Sequence, residues 1–221
     1  FVGDVPFSLS RLGKRSLFLV GPSGTGKTTT VHLMVRAAGK RLIKINAQQT
    51  ISLGVSFVVA LMEFFEPDVL LIEDMQEVLM NHDAYGTLLL WLEQLNGRIT
   101  IIGTIMDERE SFGPGDLALP GMRPGRFDRM ALIKLPDEAQ RTRILELYLK
   151  GSVPVGMSQE TEGLSPAYLK ALAESTRENG VDSWREDLAM LRLMSPDRKR
   201  AVRHQRSTIQ PDIYAVVPSH P

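Results

Sequence analysis

Lys27 and Thr28 close an octet, GPSGTGKT, that fills each fixed position of the spacing GxxxxGK[ST]. The chemistry explains the residue types. Backbone N–H groups converge on a small anion only where glycines remove the Cβ and permit positive φ, and Gly21, Gly24 and Gly26 supply that freedom. Pro22, Ser23 and Thr25 fill the remaining loop positions, and Thr29 follows them. Lys27 is expected to reach the β- and γ-phosphates as a point charge, and the Thr28 hydroxyl to ligate Mg²⁺. The N-terminus of the following helix adds its dipole. Residues Gly21, Pro22, Ser23, Gly24, Thr25, Gly26, Lys27, Thr28 and Thr29 are thus predicted to bind ATP with Mg²⁺. Ordinary composition produces this spacing by accident in roughly one chain of this length in a hundred. The apolar run LFLV before the octet and the helical pattern after it, stopped at Gly39, make accident rarer still.

Two further groups suit the same chemistry. VLLIEDMQ, Val69 to Gln76, has the form of a strand delivering an acidic pair, Glu73 and Asp74, to Mg²⁺ and to an attacking water. Solvated acids at a strand end are the plainer reading of that run taken alone. MRPGRFDR places Arg123, Arg126 and Arg129 on a turn stiffened by Pro-Gly, which suits guanidinium groups that neutralise a transferring phosphoryl group. A solvated basic turn is the alternative there.

The elements needed to bring these groups together are legible as alternation. Strand-length apolar runs SLFLV, RLIKI, DVLLI, RITIIGTI and ALIKL alternate with helical patterns at Thr28 to Ala38, near Val55 to Phe65 and near Tyr85 to Leu95. Alternating β and α segments predict an α/β fold with a parallel sheet covered on both faces. Ligands in such sheets bind at the carboxyl ends of the strands, where the octet and the acidic pair would meet. After Pro136 only helices are expected. Asp137 to Lys150 forms one, Ser165 with Pro166 opens a second that ends at Gly180, and Ser183 with Glu186 reads as a capping box for a third. The predicted organisation is a nucleotide-binding domain over 1–136, a small helical domain over 137–195 and a tail over 196–221 that is mobile or binds a partner.

Together these motifs resemble the AAA family of the AAA+ superfamily, from about Arg15 to Leu193, with GPSGTGKT, VLLIEDMQ and RPGRFDR followed by ALIKLPDEAQRTRIL as the strongest points. The resemblance implies a phosphate-loop sheet of order 5-1-4-3-2, a helical lid, and a ring, hexameric by expectation, in which Arg126 with Arg123 beside it acts on the neighbouring subunit's site. It also implies a protein substrate. By position, Glu73 would hold the Mg²⁺ shell and Asp74 would polarise water, an inversion of the usual Asp-Glu order similar to that of mitochondrial Rieske-translocating AAA ATPases. Met106 stands where the family carries a γ-phosphate-sensing Asn, and Thr104 substitutes only if the strand end shifts. Ser52, Leu53 and Gly54 replace the aromatic grip of protein-threading members. Val2 to Pro6 are candidates to close over adenine, and Arg185 for a lid-borne sensor.

Composition bounds the rest. With 221 residues, 43% apolar and 24% charged, the chain can bury a core, and a formal net charge of zero offers no global field toward nucleic acid or membrane. The stretch Arg192 to Arg206 is locally basic, the only support for a DNA-handling alternative; an ATP-gated scaffold with weak hydrolysis is the other. No cysteine is present, which excludes disulfides and thiolate metal sites and fits a cytoplasmic setting. The four histidines lack metal-ligand spacing, and Trp91 and Trp184 are expected to pack. No apolar run reaches membrane-spanning length. The chain begins at Phe1, so it is expected to be a piece of a longer protein.

Overall fold

The computed structural model describes residue 9 and residues 13–79, 82–95, 97–106 and 129–194. Arg123, Arg126, the segment Val2 to Pro6 and the tail from 196 therefore lie outside the described residues.

Five parallel strands form one sheet. They are β1 (Ser16–Gly21), β2 (Leu42–Asn46), β3 (Val69–Glu73), β4 (Thr100–Met106) and β5 (Arg129–Leu132), ordered β2-β3-β4-β1-β5. This is the expected order, read from the opposite edge. Register aligns Gly21 with Met106 and Asn46 with Glu73, so strands that are far apart in sequence end level with one another.

Side chains on the central strands are buried on both faces because helices cover both. Leu17, Leu19, Leu71 and Ile102 pack on Val31, Met34 and Val35 of α1 (Lys27–Ala37). On the other face, Phe18, Val20, Leu70 and Ile72 meet Val58 and Met62 of α2 (Ala47–Phe65). Leu88 and Leu92 of α4 (His82–Leu95) complete that layer, and a short α3 (Gln76–Leu79) precedes it. Each fully buried Leu or Phe contributes roughly 1.5–3 kcal/mol relative to exposure, so the two layers hold the strand ends in place.

Helix α2 departs from expectation. It begins at Ala47, not near Val55, because Asn46 and Gln49 form a capping box: Gln49 N donates to Asn46 Oδ1 at 2.7 Å and Asn46 N to Gln49 Oε1 at 3.1 Å. Ser52 and Leu53, which stand at the place of the aromatic grip in protein-threading members, are thus helical, and the chain turns by 108° at Gly54, where φ is +74°. Only glycine takes that conformation readily.

Over residues 138–194 the elements are helical: α5 (Glu138–Leu149), α6 (Met157–Glu160), α7 (Pro166–Asn179), a 3₁₀ turn (Val181–Ser183) and α8 (Trp184–Met194). Their cluster of Ile144, Leu145, Met157, Leu169, Leu172 and Trp184 is separate from the sheet cores. Arg141 is buried, and it donates from Nε to Ser158 O at 2.8 Å and from Nη1 to Pro136 O at 2.9 Å. That guanidinium ties the exit from the sheet to the helical layer. Asp137 caps α5 with Gln140 as partner. The expected Ser183–Glu186 box is replaced by other bonds: the Ser183 hydroxyl has one hydrogen, which it shares between Gly180 O at 2.7 Å and Asp187 Oδ2 at 3.1 Å. A 3₁₀ turn there brings the hydroxyl back over its own turn. No single helix among the described residues is long and apolar enough to cross a membrane.

Candidate active site

Strand β1 ends at Gly21, where an added Cβ would overlap the carbonyl oxygen of Ile133. The loop that follows turns through Gly24 (φ +73°) and Gly26 (φ +87°), and Gly26 leads straight into α1 at Lys27. Thr25 Oγ1 donates to Pro22 O at 2.8 Å and pins the loop across its base. The Lys27 ammonium donates to Gly21 O and Pro22 O, both at 2.8 Å, so it lies over the loop. Burial holds its pKa below the ordinary lysine value, against the pull of the nearby Asp74 carboxylate.

The helical layer touches the back of this loop. Ala167 N–H donates to Gly24 O at 3.2 Å, and a Cβ on Gly24 would sit 2.6 Å from Ser165 Oγ and 2.9 Å from Ala167 Cβ. Ser165 occupies the N-cap position of α7 as expected, with Pro166 in the first turn, yet its hydroxyl caps nothing. It is packed against Gly24 instead.

The acidic pair sits at the same edge. Thr28 Oγ1 donates to Glu73 Oε1 at 2.5 Å, and Lys44 Nζ lies 2.9 Å from Glu73 Oε2. Burial raises the Glu73 pKa, but bonds from Thr28 and Lys44 and the Lys44 charge outweigh it, so the carboxyl is held below its ordinary value. Asp74 is exposed, with φ +57°; its N–H donates to Thr104 Oγ1 at 3.3 Å, and Met75 N–H donates to Thr104 O at 2.9 Å. Thr104 is 3% exposed and serves as a clasp for the Asp74 turn, so it does not take the place of Met106. Met106 ends β4 with its side chain 42% exposed and its N–H donated to Gln76 Oε1 at 3.0 Å.

Lys27, Thr28, Glu73 and Asp74, chosen from sequence, therefore converge. Arg185 is engaged elsewhere: it pairs with Glu160 at 3.0 Å and stacks over Trp184 at 4.4 Å. Lys44 and Gln76 were missed. Lys44 had a signal, since it lies two residues before Asn46 on a strand of period two, on the face that leads to Glu73. Gln76 had only its place after the acidic pair.

The donors fit Mg²⁺. Thr28 and Glu73 offer adjacent hard oxygens, while no cluster of three His, Cys, Asp or Glu residues occurs among the described residues. That suits a small cation held by one or two protein oxygens plus substrate phosphates, not an all-protein cage.

A parallel sheet with a glycine-built anion loop after one strand and an acidic pair after another, meeting at the carboxyl edge, defines a phosphate-loop nucleoside triphosphatase. The model of the ATPase family associated with various cellular activities (AAA) matches residues 17–135, more than half of the chain, and the protein belongs to that family. It is an ATP-binding ATPase. The chain is 27% identical to the ATP-dependent zinc metalloprotease FtsH of Acidimicrobium ferrooxidans over 91% of its own length and 34% of that protein's. It is 25% identical to the proteasome-activating nucleotidase of Methanothermobacter thermautotrophicus over 81% of its length and 49% of that protein's. It thus spans half or less of these curated relatives. The crystal structure of the FIGL-1 AAA domain in complex with ADP superposes with a TM-score of 0.64 at 19% identity, covering 90% of this chain and 80% of that one.

Proposed function

We propose that the protein is a ring-forming ATPase that hydrolyses MgATP at the Gly21–Thr28 loop to remodel or translocate a protein partner. The observation that carries this reading is the Thr28–Glu73 contact, 45 residues apart in sequence, beside Lys27 and Asp74. Lys27 leaves its loop carbonyls for the β- and γ-phosphates, which neutralise the partly buried ammonium better than dipoles do. Thr28 and Glu73 would hold Mg²⁺, which when bound would offset the charge of the phosphate oxygens. Asp74 polarises water: the water oxygen bonds to the γ-phosphorus, the bond to the β,γ-bridging oxygen breaks, and Asp74 takes the proton as ADP and inorganic phosphate leave.

Arg126, with Arg123, would complete the neighbour's site in trans in a homo-oligomer, by expectation a hexamer. The division at residue 136 supplies two units whose angle changes with nucleotide state. The docking of α7 on Gly24 supports such coupling, because the loop that grips phosphate touches the helical layer directly. Protein as substrate rests on relatives whose names describe a protease and a proteasome activator. ATP turnover per subunit, measured as protein concentration rises, tests the assembly. The rate should climb as the ring forms and fall in Arg126→Ala; a flat rate sinks the trans arginine.

A second reading, a nucleotide-gated scaffold with weak hydrolysis, is favoured by one observation: the end of β4 carries an exposed Met106 where a polar group is wanted. Single-turnover hydrolysis by the assembled protein separates the two.

A further inference from the structure

We propose that the Gln76 carboxamide positions the attacking water, supplying at the end of β4 the polar group that the Met106 side chain lacks. The inference rests on the reading of the site as an ATPase. A water held by the Asp74 carboxylate alone is free to rotate about that bond, and in-line attack needs a second partner to fix it. The described carboxyl edge has few groups to spare. Lys27 is assigned to phosphate, Glu73 is bonded to Thr28 and Lys44, and the Thr104 hydroxyl, which accepts from the Asp74 N–H, is buried away from the open edge.

Gln76 remains, and its orientation is settled by chemistry. A backbone N–H can only donate, so the carboxamide oxygen must be the end that meets Met106 N, 3.0 Å away. Both Nε2 hydrogens are then available to an acceptor such as a water or a γ-phosphate oxygen. The side chain is also braced. Gln76 opens α3 directly after Met75, whose N–H is tied to Thr104 O, so the amide stands two residues from Asp74 on a turn bonded to β4 at both Thr104 and Met106. A glutamine amide of this kind orients the attacking water in other phosphate-loop enzymes. The plainer role, a tie between β4 and α3, predicts a different mutational pattern.

Gln76→Glu keeps the oxygen that accepts from Met106 N and removes the donor; Gln76→Ala removes both. The full chain would be assayed for binding of a fluorescent methylanthraniloyl ATP, for single-turnover ATP hydrolysis and for binding of ADP with fluoroaluminate. Both variants should bind the ATP analogue within about threefold of wild type, hydrolyse at least about tenfold more slowly and lose the fluoroaluminate complex. Adding Met106→Asn to Gln76→Ala should restore most of the lost rate. Hydrolysis by Gln76→Glu near the wild-type rate overturns the proposal. So does a fall in ATP binding that matches the fall in rate, or a failure of Met106→Asn to restore it. A wild-type chain that holds ATP without turning it over removes the ground for both this inference and the ATPase mechanism.

Discussion

At the scale of single residues, the site is governed by which charges find partners before nucleotide arrives. Lys27 rests on two carbonyl oxygens and is partly desolvated, so it gains on meeting phosphate. A charge-assisted bond of this type is worth about 1.5–3 kcal/mol, and Lys27→Ala should weaken ATP binding by roughly ten- to a hundredfold, as read by fluorescence titration. Glu73 carries the opposite sign. Its folded-state pKa is depressed, so its contribution to stability is complete above the ordinary carboxylate value and is lost as pH falls through the folded value. Thermal melts of the nucleotide-free chain from pH 7 to pH 3 should therefore show a steeper acid loss for wild type than for Glu73→Gln. Equal slopes would contradict the Lys44–Glu73–Thr28 arrangement. The juxtaposition of Lys27 and Thr28 with Glu73 and Asp74 was legible because the phosphate and Mg²⁺ chemistry proposed for them admits few substitutes for those types at that spacing. Lys44 and Gln76 were not, because a lysine in a strand and a glutamine after a turn have many uses, and only strand register and a bond to Met106 N assign them one.

At the scale of elements, glycine positions separate conformational need from crowding. Gly24 and Gly26 both have positive φ, but a Cβ at Gly26 meets open space while one at Gly24 meets Ser165 and Ala167. Gly26→Ala should carry only backbone strain of about 1 kcal/mol, whereas Gly24→Ala adds overpacking of about 1–3 kcal/mol against α7. Urea melts of the two variants should rank them in that order, and equal losses would mean that the helical layer does not lean on the loop. Strands β1 to β4 were legible from their apolar runs, while β5 starts two residues before the run ALIKL and ends at Leu132; α1, α5 and α7 were legible from caps and glycine stops. The start of α2 was not, because Gly54 interrupts the helical pattern between the Asn46–Gln49 box and Val55; glycine bends this helix and does not prevent it. Ser183 was misjudged for a related reason, since a serine before a helix serves a 3₁₀ turn as readily as a capping box.

At the scale of the whole molecule, alternating strands and helices announced a parallel sheet, but strand order came from the resemblance and not from periodicity, since alternation alone allows several orders. The strands are parallel, so the loop after β1 and the acids after β3 share one edge, and the observed order sets them either side of β4. The sheet is held tightly there: Leu71→Ala, at a fully buried position in the central layer, should cost about 2–5 kcal/mol in denaturant melts. In the mechanism proposed above, this edge both captures ATP and hydrolyses it with Asp74 as the base. Single-turnover hydrolysis by the assembled chain, compared with Asp74→Asn under conditions where both are saturated with MgATP, tests it most directly. ATP binding should be unchanged in the variant and its rate lower by about 10²–10⁴. Hydrolysis by Asp74→Asn at the wild-type rate would contradict it.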